Sequence, residues 1–395
     1  MPKLLQINIT SNWGSTGKIA EAINLAAQRK GWECSTAYGR WANPSKFPTY
    51  KVGNKWDMYV HYFENRIFDR EGLSSRRATK ALIRHIEQLK PDVISLHNIH
   101  DHYLNYELLF RYLNKTDIKV VWTFHDCWAF TGHCFHFVTK DCMRWKTGCH
   151  DCLMMGEYPK SLVDRSRKNW ELKKSLFAGC KNLSVVACSD WIADFARESF
   201  LKDKRILTIH NGVDLSIFKS QSKTESKRFK IIAVSSPWHP AKGELDIYKL
   251  RSILSDKDFE IIMVGLSANQ MKKLPTGIIG IQRTQNVNEL AKLYSDSDVL
   301  INPTYADTFP TVNLEALACG TPVITYRTGG SPEAVDEKTG IVVEQGDVDA
   351  LADAICRMKE HPLSSANCRK RAEEHFDKDK CFEKYIELYD ELLRI

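Results

Sequence analysis

Two carboxylic acids, Asp307 and Glu315, stand eight positions apart in a segment that reads DVLINPTYADTFPTVNLEALACGTPVITYRTGGSPE from residue 298 to residue 333. Carboxylates are hydrogen-bond acceptors that suit the paired hydroxyls of a sugar ring. Free N–H groups at the start of a helix favour phosphate. The segment therefore has the chemistry to bind a phosphorylated sugar, although an ordinary strand, helix and strand unit without a ligand is the alternative.

The elements around these two acids are short and sharply bounded. Asp307 is predicted to lie in a turn-rich loop, and Glu315 on the second turn of the helix that follows. Gly320 closes that helix in the manner of a C′ glycine. The predicted elements of the segment are a strand at Val299–Ile301, a helix at about Pro310–Ala318, a strand at Pro322–Tyr326 and a turn at Thr328–Gly330.

Strand and helix patterns alternate along the whole chain, which predicts an α/β fold with parallel sheets. A polar stretch rich in serine and lysine, Lys219–Lys227, interrupts the alternation and is the best candidate for a linker. The chain ends in a predicted amphipathic helix after Asp379. The other predicted strands are Leu4–Ile9, Val93–Leu96, Lys119–Phe124, Leu183–Ala187, Ile206–Ile209, Lys230–Val234 and Glu260–Val264, with helices at Thr16–Gln28 and Tyr106–Leu113.

Length and composition narrow the class of protein. At 395 residues the chain is too long for one core and fits two domains of about 200 residues each. The net charge of +7 is modestly basic, and no nucleic-acid-binding module is present. No apolar run approaches the 18 residues of a membrane-spanning helix, and the N-terminus leads directly into a strand. We therefore expect a cytoplasmic protein that is compatible with peripheral contact with the inner membrane.

The spacing of Asp307 and Glu315, together with LEALACGTPVI around the second acid, resembles the E-x7-E signature of the family 4 retaining glycosyltransferases. The resemblance covers nearly the whole chain. It implies the GT-B architecture, in which two Rossmann-like domains face an interdomain cleft. The implied domains are 1–213 with 378–395 on the acceptor side, carrying a cysteine-rich insert at about 127–152, and 214–377 on the nucleotide-sugar side.

The same resemblance assigns roles to individual residues. It implies that Glu315 accepts hydrogen bonds from the ribose of the donor, that Asp307 lies beside the donor sugar, and that Lys242 of the Pro240–Gly243 element neutralises the diphosphate. Most members of the family carry an arginine about six residues before that lysine, and this chain has Ser236, so His239 or helix N-termini would have to share the charge. The further donor-binding residues implied are Gly17 of the glycine-rich segment Gly14–Lys18, and the loop residues Thr308, Phe309 and Pro310.

His125 ends a predicted strand inside the motif TFHDCW. The carboxyl end of a parallel strand is where ligands bind in such sheets, and the resemblance places here a histidine that contacts the donor sugar. A buried histidine of purely structural role is the alternative. Asp126, the next residue, is in position to orient the imidazole ring.

Five of the twelve cysteines lie within 26 residues, between Cys127 and Cys152. Disulfides are disfavoured in the cytosol, so a set that ends in C-x2-C favours metal binding over cross-links. Thiolates of Cys134, Cys142, Cys149 and Cys152 would form a closed zinc site without a catalytic position. Free thiols in a small insertion are an equally weighted alternative, and an iron–sulfur cluster is a more distant one. In either case the insert follows His125 and is expected to shape the mouth of the acceptor site.

The segment Trp56–His85 mixes aromatic and basic residues. Such a surface suits lipid phosphates at a membrane interface. An amphipathic helix with a solvated basic face explains the composition slightly better.

The sequence thus predicts a retaining hexosyltransferase that moves a sugar from a UDP- or GDP-sugar to a glycan or a polyprenyl-diphosphate-linked acceptor during the synthesis of bacterial surface polysaccharide. Neither a metal nor another cofactor is needed for this chemistry, because Lys242 and helix dipoles supply the positive charge. Two alternatives remain open: a sugar-nucleotide epimerase of related fold, and a catalytically silent protein that binds nucleotide sugars.

Overall fold

The computed structural model describes residues 1–394 and divides into two compact units. The first unit contains Met1–Ile209 and the C-terminal segment from Phe382, and the second contains His210–Cys381. The boundaries predicted from the sequence, at 213/214 and 377/378, lie near these crossings. Each unit is a parallel sheet covered by helices, which confirms the predicted α/β class.

The first unit is built on a seven-stranded sheet in the order β3-β2-β1-β4-β5-β6-β7, with every pair parallel. Its strands are β1 (Lys3–Asn8), β2 (Glu33–Tyr38), β3 (Thr49–Lys51), β4 (Val93–Leu96), β5 (Lys119–Phe124), β6 (Leu183–Ala187) and β7 (Arg205–Thr208). Its helices are α1 (Gly14–Arg29), α2 (Lys55–Phe68), α3 (Arg76–Leu89), α4 (Tyr106–Leu113), α5 (Ser166–Lys173) and α6 (Asp190–Glu198).

The second unit is built on a six-stranded parallel sheet in the order β10-β9-β8-β11-β12-β13. Its strands are β8 (Phe229–Val234), β9 (Phe259–Val264), β10 (Ile278–Ile281), β11 (Val299–Asn302), β12 (Val323–Tyr326) and β13 (Gly340–Val343). Its helices are α7 (Glu244–Ile253), α8 (Ala268–Lys273), α9 (Val287–Asp296), α10 (Thr311–Ala318), α11 (Val348–Glu360) and α12 (Ser365–His375).

The last helix, α13 (Lys378–Arg394), begins in the second unit, and from Phe382 onward it packs in the first. There Tyr385 approaches Thr123 of β5, and the hydroxyl groups of Tyr389 and Ser95 of β4 lie 3.0 Å apart. Both tyrosines are buried. These contacts attach the end of the chain to the two strands that carry the histidines described below.

The central strands of both sheets are apolar runs rather than alternating patterns, because helices cover both faces of a parallel sheet. All four residues of β4, of β11 and of β12 are buried. This burial explains why β4, β5 and β6 begin and end where the sequence predicted. Their apolar runs are bounded by polar residues, so their limits are visible in the sequence.

The predicted linker Lys219–Lys227 is wrong. The stretch lies inside the second unit and is tied to the end of α9. The backbone N–H of Thr224 donates to Asp296 at 2.7 Å, and Lys292 donates to the backbone oxygen of Ser222 at 2.8 Å. A polar composition marks a segment as exposed, but it does not separate a linker from a loop held by hydrogen bonds.

Among residues 1–394, no helix has both the length and the apolar character needed to cross a bilayer.

Candidate functional site

Each sheet reverses its chain order at one point, between β1 and β4 in the first unit and between β8 and β11 in the second. Loops that leave neighbouring strands in opposite directions open a crevice at such a point, and open parallel sheets bind ligands there. In the second unit β8 leads to Lys242 and β11 leads to Asp307. In the first unit β1 leads to Gly17, while β4 and its neighbour β5 lead to two histidines.

Lys242 and Asp307 form an ion pair in the second unit. Lys242 Nζ lies 2.6 Å from Asp307 Oδ2 and also donates to the backbone oxygen of Ala306 at 3.2 Å. The two side chains are 26% and 23% exposed, so a ligand can reach both of them. The structure thus brings together two of the residues that the sequence predicted to act on one ligand.

The loops that carry this pair are fixed against each other. The backbone N–H of Tyr305 donates to the backbone oxygen of Ala241 at 2.8 Å. Gly243, with φ of +75°, lies so close to Pro303 that a Cβ would stand 2.1 Å from its backbone oxygen. Only glycine satisfies both conditions. The Lys242–Asp307 geometry is therefore set by backbone contacts and does not depend on the ion pair alone.

Glu315 lies half-buried on the second turn of α10, where its Oε2 accepts a hydrogen bond of 2.9 Å from the hydroxyl of Tyr294. Burial raises the pKa of Tyr294 well above its usual value, and the neighbouring carboxylate of Glu315 raises it further. The tyrosine therefore stays a donor and holds the carboxylate in place. No side chain caps the start of α10 after Pro310, which leaves N–H groups of its first turn available to an anion.

Of the loop residues predicted to bind the donor, Thr308, Phe309 and Pro310 are all buried. The ring of Phe309 packs against His210, with centroids 4.8 Å apart, and against Phe376. Its side chain is therefore a core contact, and the role of this residue in donor binding stays a prediction. Thr308 differs, because its Oγ1 is buried and has no hydrogen-bond partner in the structure.

Ser236, which stands where the family resemblance implies an arginine, is exposed and offers no positive charge. His239 was the expected substitute. Partial burial lowers its pKa, and the charge of Lys242 lowers it further. The imidazole is therefore neutral at pH 7, and Lys242 remains as the side-chain cation beside Asp307.

In the first unit His125 belongs to a buried chain of hydrogen bonds. Its Nε2 lies 3.0 Å from Nδ1 of His97, and Nε2 of His97 lies 2.8 Å from Oε1 of Gln6 on β1. With the Gln6 oxygen as acceptor, His97 carries its proton on Nε2 and His125 donates from Nε2. Burial lowers the pKa of His125 to about 4, so its ring is neutral at pH 7 and its Nδ1 is left as the acceptor.

The prediction that Asp126 orients His125 is wrong. Asp126 Oδ2 pairs with Nε2 of His100 at 2.8 Å, and its Oδ1 accepts from the backbone N–H of Trp128. His100 holds the pKa of Asp126 at about 2 despite burial. The chain bends directly after β5, and the two adjacent side chains meet different histidines of the loop after β4: Asp126 meets His100, and His125 meets His97.

Gly17 lies in the first turn of α1, because this helix begins at Gly14 and not at Thr16 as predicted. A Cβ on Gly17 would stand 2.6 Å from Oγ1 of Thr10. The glycine therefore allows the helix to pack closely on the loop after β1. Asn8 fixes that loop by donating to the backbone oxygen of Thr10 at 2.9 Å.

The four cysteines predicted to bind zinc converge in the first unit although they are spread over residues 134–152. Cys134, Cys142, Cys149 and Cys152 all line one small enclosed pocket. Burial raises the pKa of Cys149 to about 11 and that of Cys152 to about 12. Among the described residues, no three of these sulfur atoms all lie within 4.8 Å of one another, so the thiols would have to move closer together to bind one ion.

Helix α2 exposes a stripe of large apolar side chains. Its inward face buries only His61 and Asn65, while Trp56 at the start of the helix is 78% exposed. We call the exposed stripe the α2 face; its members are Trp56, Tyr59, Val60, Tyr62, Phe63, Ile67 and Phe68. The helix with a solvated basic face that the sequence favoured is therefore not α2 but α3, which exposes Arg76, Arg77, Lys80 and Arg84.

Sequence reasoning missed two residues that support the site, His97 and Tyr294. His97 follows β4 just as His125 follows β5, and β4 and β5 are neighbours. If the order of the strands had been known from the sequence, the contact between these two histidines could have been predicted. Tyr294 ends a helix 21 residues before Glu315, and no local pattern connects these residues.

The chain matches two families of known proteins. Residues 24–217 match the family described as Glycosyltransferase Family 4, and residues 228–361 match the family described as Glycosyl transferases group 1. WcaC of Escherichia coli (strain K12), named for colanic acid biosynthesis glycosyl transfer, is 24% identical over 327 residues, which are 76% of this chain and 77% of that protein. The N-acetyl-alpha-D-glucosaminyl L-malate synthase of Bacillus anthracis is 26% identical over 231 residues, which are 53% of this chain and 60% of that protein.

Solved structures share the fold over the full length of the chain. Sucrose-phosphate synthase from Thermosynechococcus elongatus has a TM-score of 0.75 and 16% identity, and the match covers 100% of both chains. HepE of Anabaena in complex with UDP has a TM-score of 0.67 and 13% identity, covering 99% of this chain and 100% of that one. The fold is GT-B, and the chain belongs to the family 4 glycosyltransferases.

Proposed function

We propose that this glycosyltransferase moves a hexose from a UDP- or GDP-sugar to a glycan or a polyprenyl-diphosphate-linked acceptor, with retention at the anomeric carbon, in the synthesis of surface polysaccharide. The observation that carries the proposal is the cluster at the switch point of the second sheet. There the Lys242–Asp307 ion pair joins the segments that follow β8 and β11, and Glu315 lies on α10, the helix after β11. HepE, of the same fold, has structures with UDP and with UDP-glucose.

In this proposal Glu315 holds the ribose of the donor. One of its oxygens accepts from Tyr294, and a carboxylate has about four acceptor sites. Tyr294 fixes the orientation in which the carboxylate meets the ribose hydroxyls. Asp307, on the preceding loop, accepts a hydrogen bond from a hydroxyl of the donor sugar.

Lys242 neutralises the diphosphate. Its ammonium group has three donors, of which the structure engages two with Asp307 and the backbone oxygen of Ala306. The leaving diphosphate gains negative charge in the transition state, so a fixed cation stabilises that state more than the ground state. Because Ser236 is uncharged and His239 is neutral, Lys242 and helix N-termini supply this stabilisation, and no metal ion takes part in the chemistry.

His125, in the first unit, contacts the sugar undergoing transfer. Its hydrogen bond to His97 fixes the ring, and the neutral state leaves Nδ1 as an acceptor for a sugar hydroxyl. The proposed role is positioning. Front-face transfer, in which the leaving phosphate deprotonates the acceptor, needs no enzyme nucleophile.

The α2 face suits a lipid-linked acceptor. Large apolar side chains exposed along one side of a helix insert at the boundary of headgroups and acyl chains. Exposed basic residues of α3, Arg76 and Arg77, lie in the following element and attract anionic lipid. We propose that the protein is cytoplasmic and docks peripherally on the inner membrane through this surface.

The test begins with thermal stabilisation by UDP-, GDP- and dTDP-sugars, since a ligand at 100 times its dissociation constant adds about 2.7 kcal/mol. The stabilising donor is then incubated with lipid-diphosphate and glycan acceptors, and the anomeric configuration of the product is read by NMR. Transfer with retention supports the proposal. Inverted sugar without an acceptor identifies an epimerase, and donor binding without turnover in any acceptor pool identifies a silent binding protein.

A further inference from the structure

The insert that follows His125 and leads to α5, residues 126–165, is nearly devoid of regular structure. It contains two short 3-10 turns, Val138–Lys140 and Arg144–Lys146, and is otherwise loop. Yet it has a core, because Trp145 is 1% exposed and Phe137 packs against it with ring centroids 5.1 Å apart. So little regular structure does not by itself hold 40 residues in one conformation, and small loop-rich units of this kind depend on cross-links or metals.

The four thiols stand where such a cross-link would be. Cys134, Cys142, Cys149 and Cys152 line the same pocket, with Phe137, Trp145 and Met154 forming its apolar wall. They come from three separate turns of the insert. A single ion bound by all four would join these turns.

Backbone N–H groups are aimed at two of the sulfur atoms. Gly132 N–H donates to Cys149 Sγ at 3.2 Å, and the backbone N–H of Met154 donates to the thiol of Cys152, two residues earlier. A neutral thiol is a weak acceptor, whereas a thiolate is a strong one. Outer donors of this kind orient metal-bound thiolates, so these two N–H groups would support sulfur atoms that bind a metal ion.

A buried lysine contacts the wall of this pocket. Lys173 of α5 is fully buried, and its Nζ donates to the backbone oxygens of Trp128 at 2.7 Å and of Thr131, a pocket residue, at 3.0 Å. Four thiolates around a divalent ion carry a net charge of about −2, and a protonated lysine in this position would offset part of it.

We propose that Cys134, Cys142, Cys149 and Cys152 bind one zinc ion that holds the insert together. An all-thiolate tetrahedral set selects zinc among common cellular divalent ions and leaves no open position, so the site is structural. Zn–S bonds of about 2.3 Å require the sulfur atoms to approach to about 3.8 Å, which means that the pocket contracts when the ion binds. The insert follows His125 directly, so the zinc ion fixes the loop that leaves this residue.

Elemental analysis of the full chain, purified without added metal or chelator, tests the proposal. We expect about one zinc per chain. Replacement by Co²⁺ should give the sulfur-to-metal charge-transfer and d–d absorption bands of a tetrahedral thiolate site. The proposal is overturned if the purified protein contains no zinc and shows no such bands after addition of Co²⁺. It is also overturned if the protein contains iron with sulfide, or if its mass is lower by the hydrogens lost when these cysteines form disulfides.

Variants locate the ion. Cys149→Ser and Cys152→Ser should lose at least half of the bound zinc, whereas Cys356→Ser, a half-buried thiol on α11 of the second unit, should keep all of it. Retention of full zinc by both insert variants places the ion elsewhere. If those variants do not fold, stoichiometric zinc release from the wild-type protein by a mercurial thiol reagent gives the ligand count. No donor or acceptor is needed, so the outcome is independent of the proposed transfer reaction.

Discussion

Lys242→Ala tests the donor site most directly. Lys242 Nζ lies 2.6 Å from Asp307 and is the cation that the structure places at the switch point of the second sheet. The substitution removes the charge that meets the leaving diphosphate and leaves the Asp307 carboxylate close to those phosphates. Two unit charges 4 Å apart interact by about 4 kcal/mol at an effective dielectric constant of 20. The attraction between the Lys242 ammonium group and the diphosphate lowers the barrier to transfer only by the part that develops in the transition state.

Loss of one preorganised donor of this kind costs about 2.7 to 4 kcal/mol. We therefore expect kcat to fall by roughly 100-fold or more at saturating donor, while the melting temperature changes little because the pair is a quarter exposed. The assay is a discontinuous transfer assay with chromatographic detection of the released nucleotide diphosphate. Lys249→Ala, which removes an exposed lysine from α7 of the same unit, is the matched control and should retain full activity.

Ser236→Arg in the Lys242→Ala background should recover part of the loss, since it supplies a cation where the family resemblance implies an arginine. Near-normal kcat in Lys242→Ala at saturating donor would show that the diphosphate is held elsewhere. The assignment of the second-unit switch point as the donor site would then be wrong.

Three further predictions concern other parts of the protein. Glu315→Ala should weaken donor binding or turnover by about 2 to 4 kcal/mol, and calorimetric titration with the nucleotide sugar would show an unchanged affinity if the assignment were wrong. Acid should destabilise the fold between pH 6.5 and 4, because burial lowers the pKa of His61 and His125 to about 4 and only the unfolded chain takes up these protons in that window. Each histidine changes the free energy of unfolding by up to about 1.4 kcal/mol per pH unit. The variant His61→Asn should therefore show a weaker pH dependence of the urea midpoint, and an unchanged dependence would contradict the reasoning. Trp56→Ala combined with Phe63→Ala should reduce co-sedimentation with anionic vesicles at least tenfold, since each buried aromatic contributes about 1.5 to 3 kcal/mol, whereas Leu245→Ala, an exposed apolar control in the second unit, should not.

Local sequence determined the elements of this protein. Apolar runs bounded by polar residues, with turn residues between them, marked strands such as Val93–Leu96 and Lys119–Phe124 at the limits that the structure has. The helix that carries Glu315 was predicted to within one residue at its start. Such patterns are visible in the sequence because periodicity and turn chemistry depend on residues a few positions apart. The spacing of Asp307 and Glu315, together with LEALACGTPVI around Glu315, indicated the family for the same reason.

Only the tertiary structure decided which residues distant in sequence contact each other. His125 pairs with His97 and not with its neighbour Asp126, because strand adjacency sets which side chains meet. The polar stretch at 219–227 became a fixed loop because α9 offered it hydrogen bonds. The α2 face is exposed because His61 and Asn65 already fill the inward side of that helix. An amphipathic pattern shows that a helix has two faces, but which of them meets the core depends on what the rest of the chain leaves uncovered.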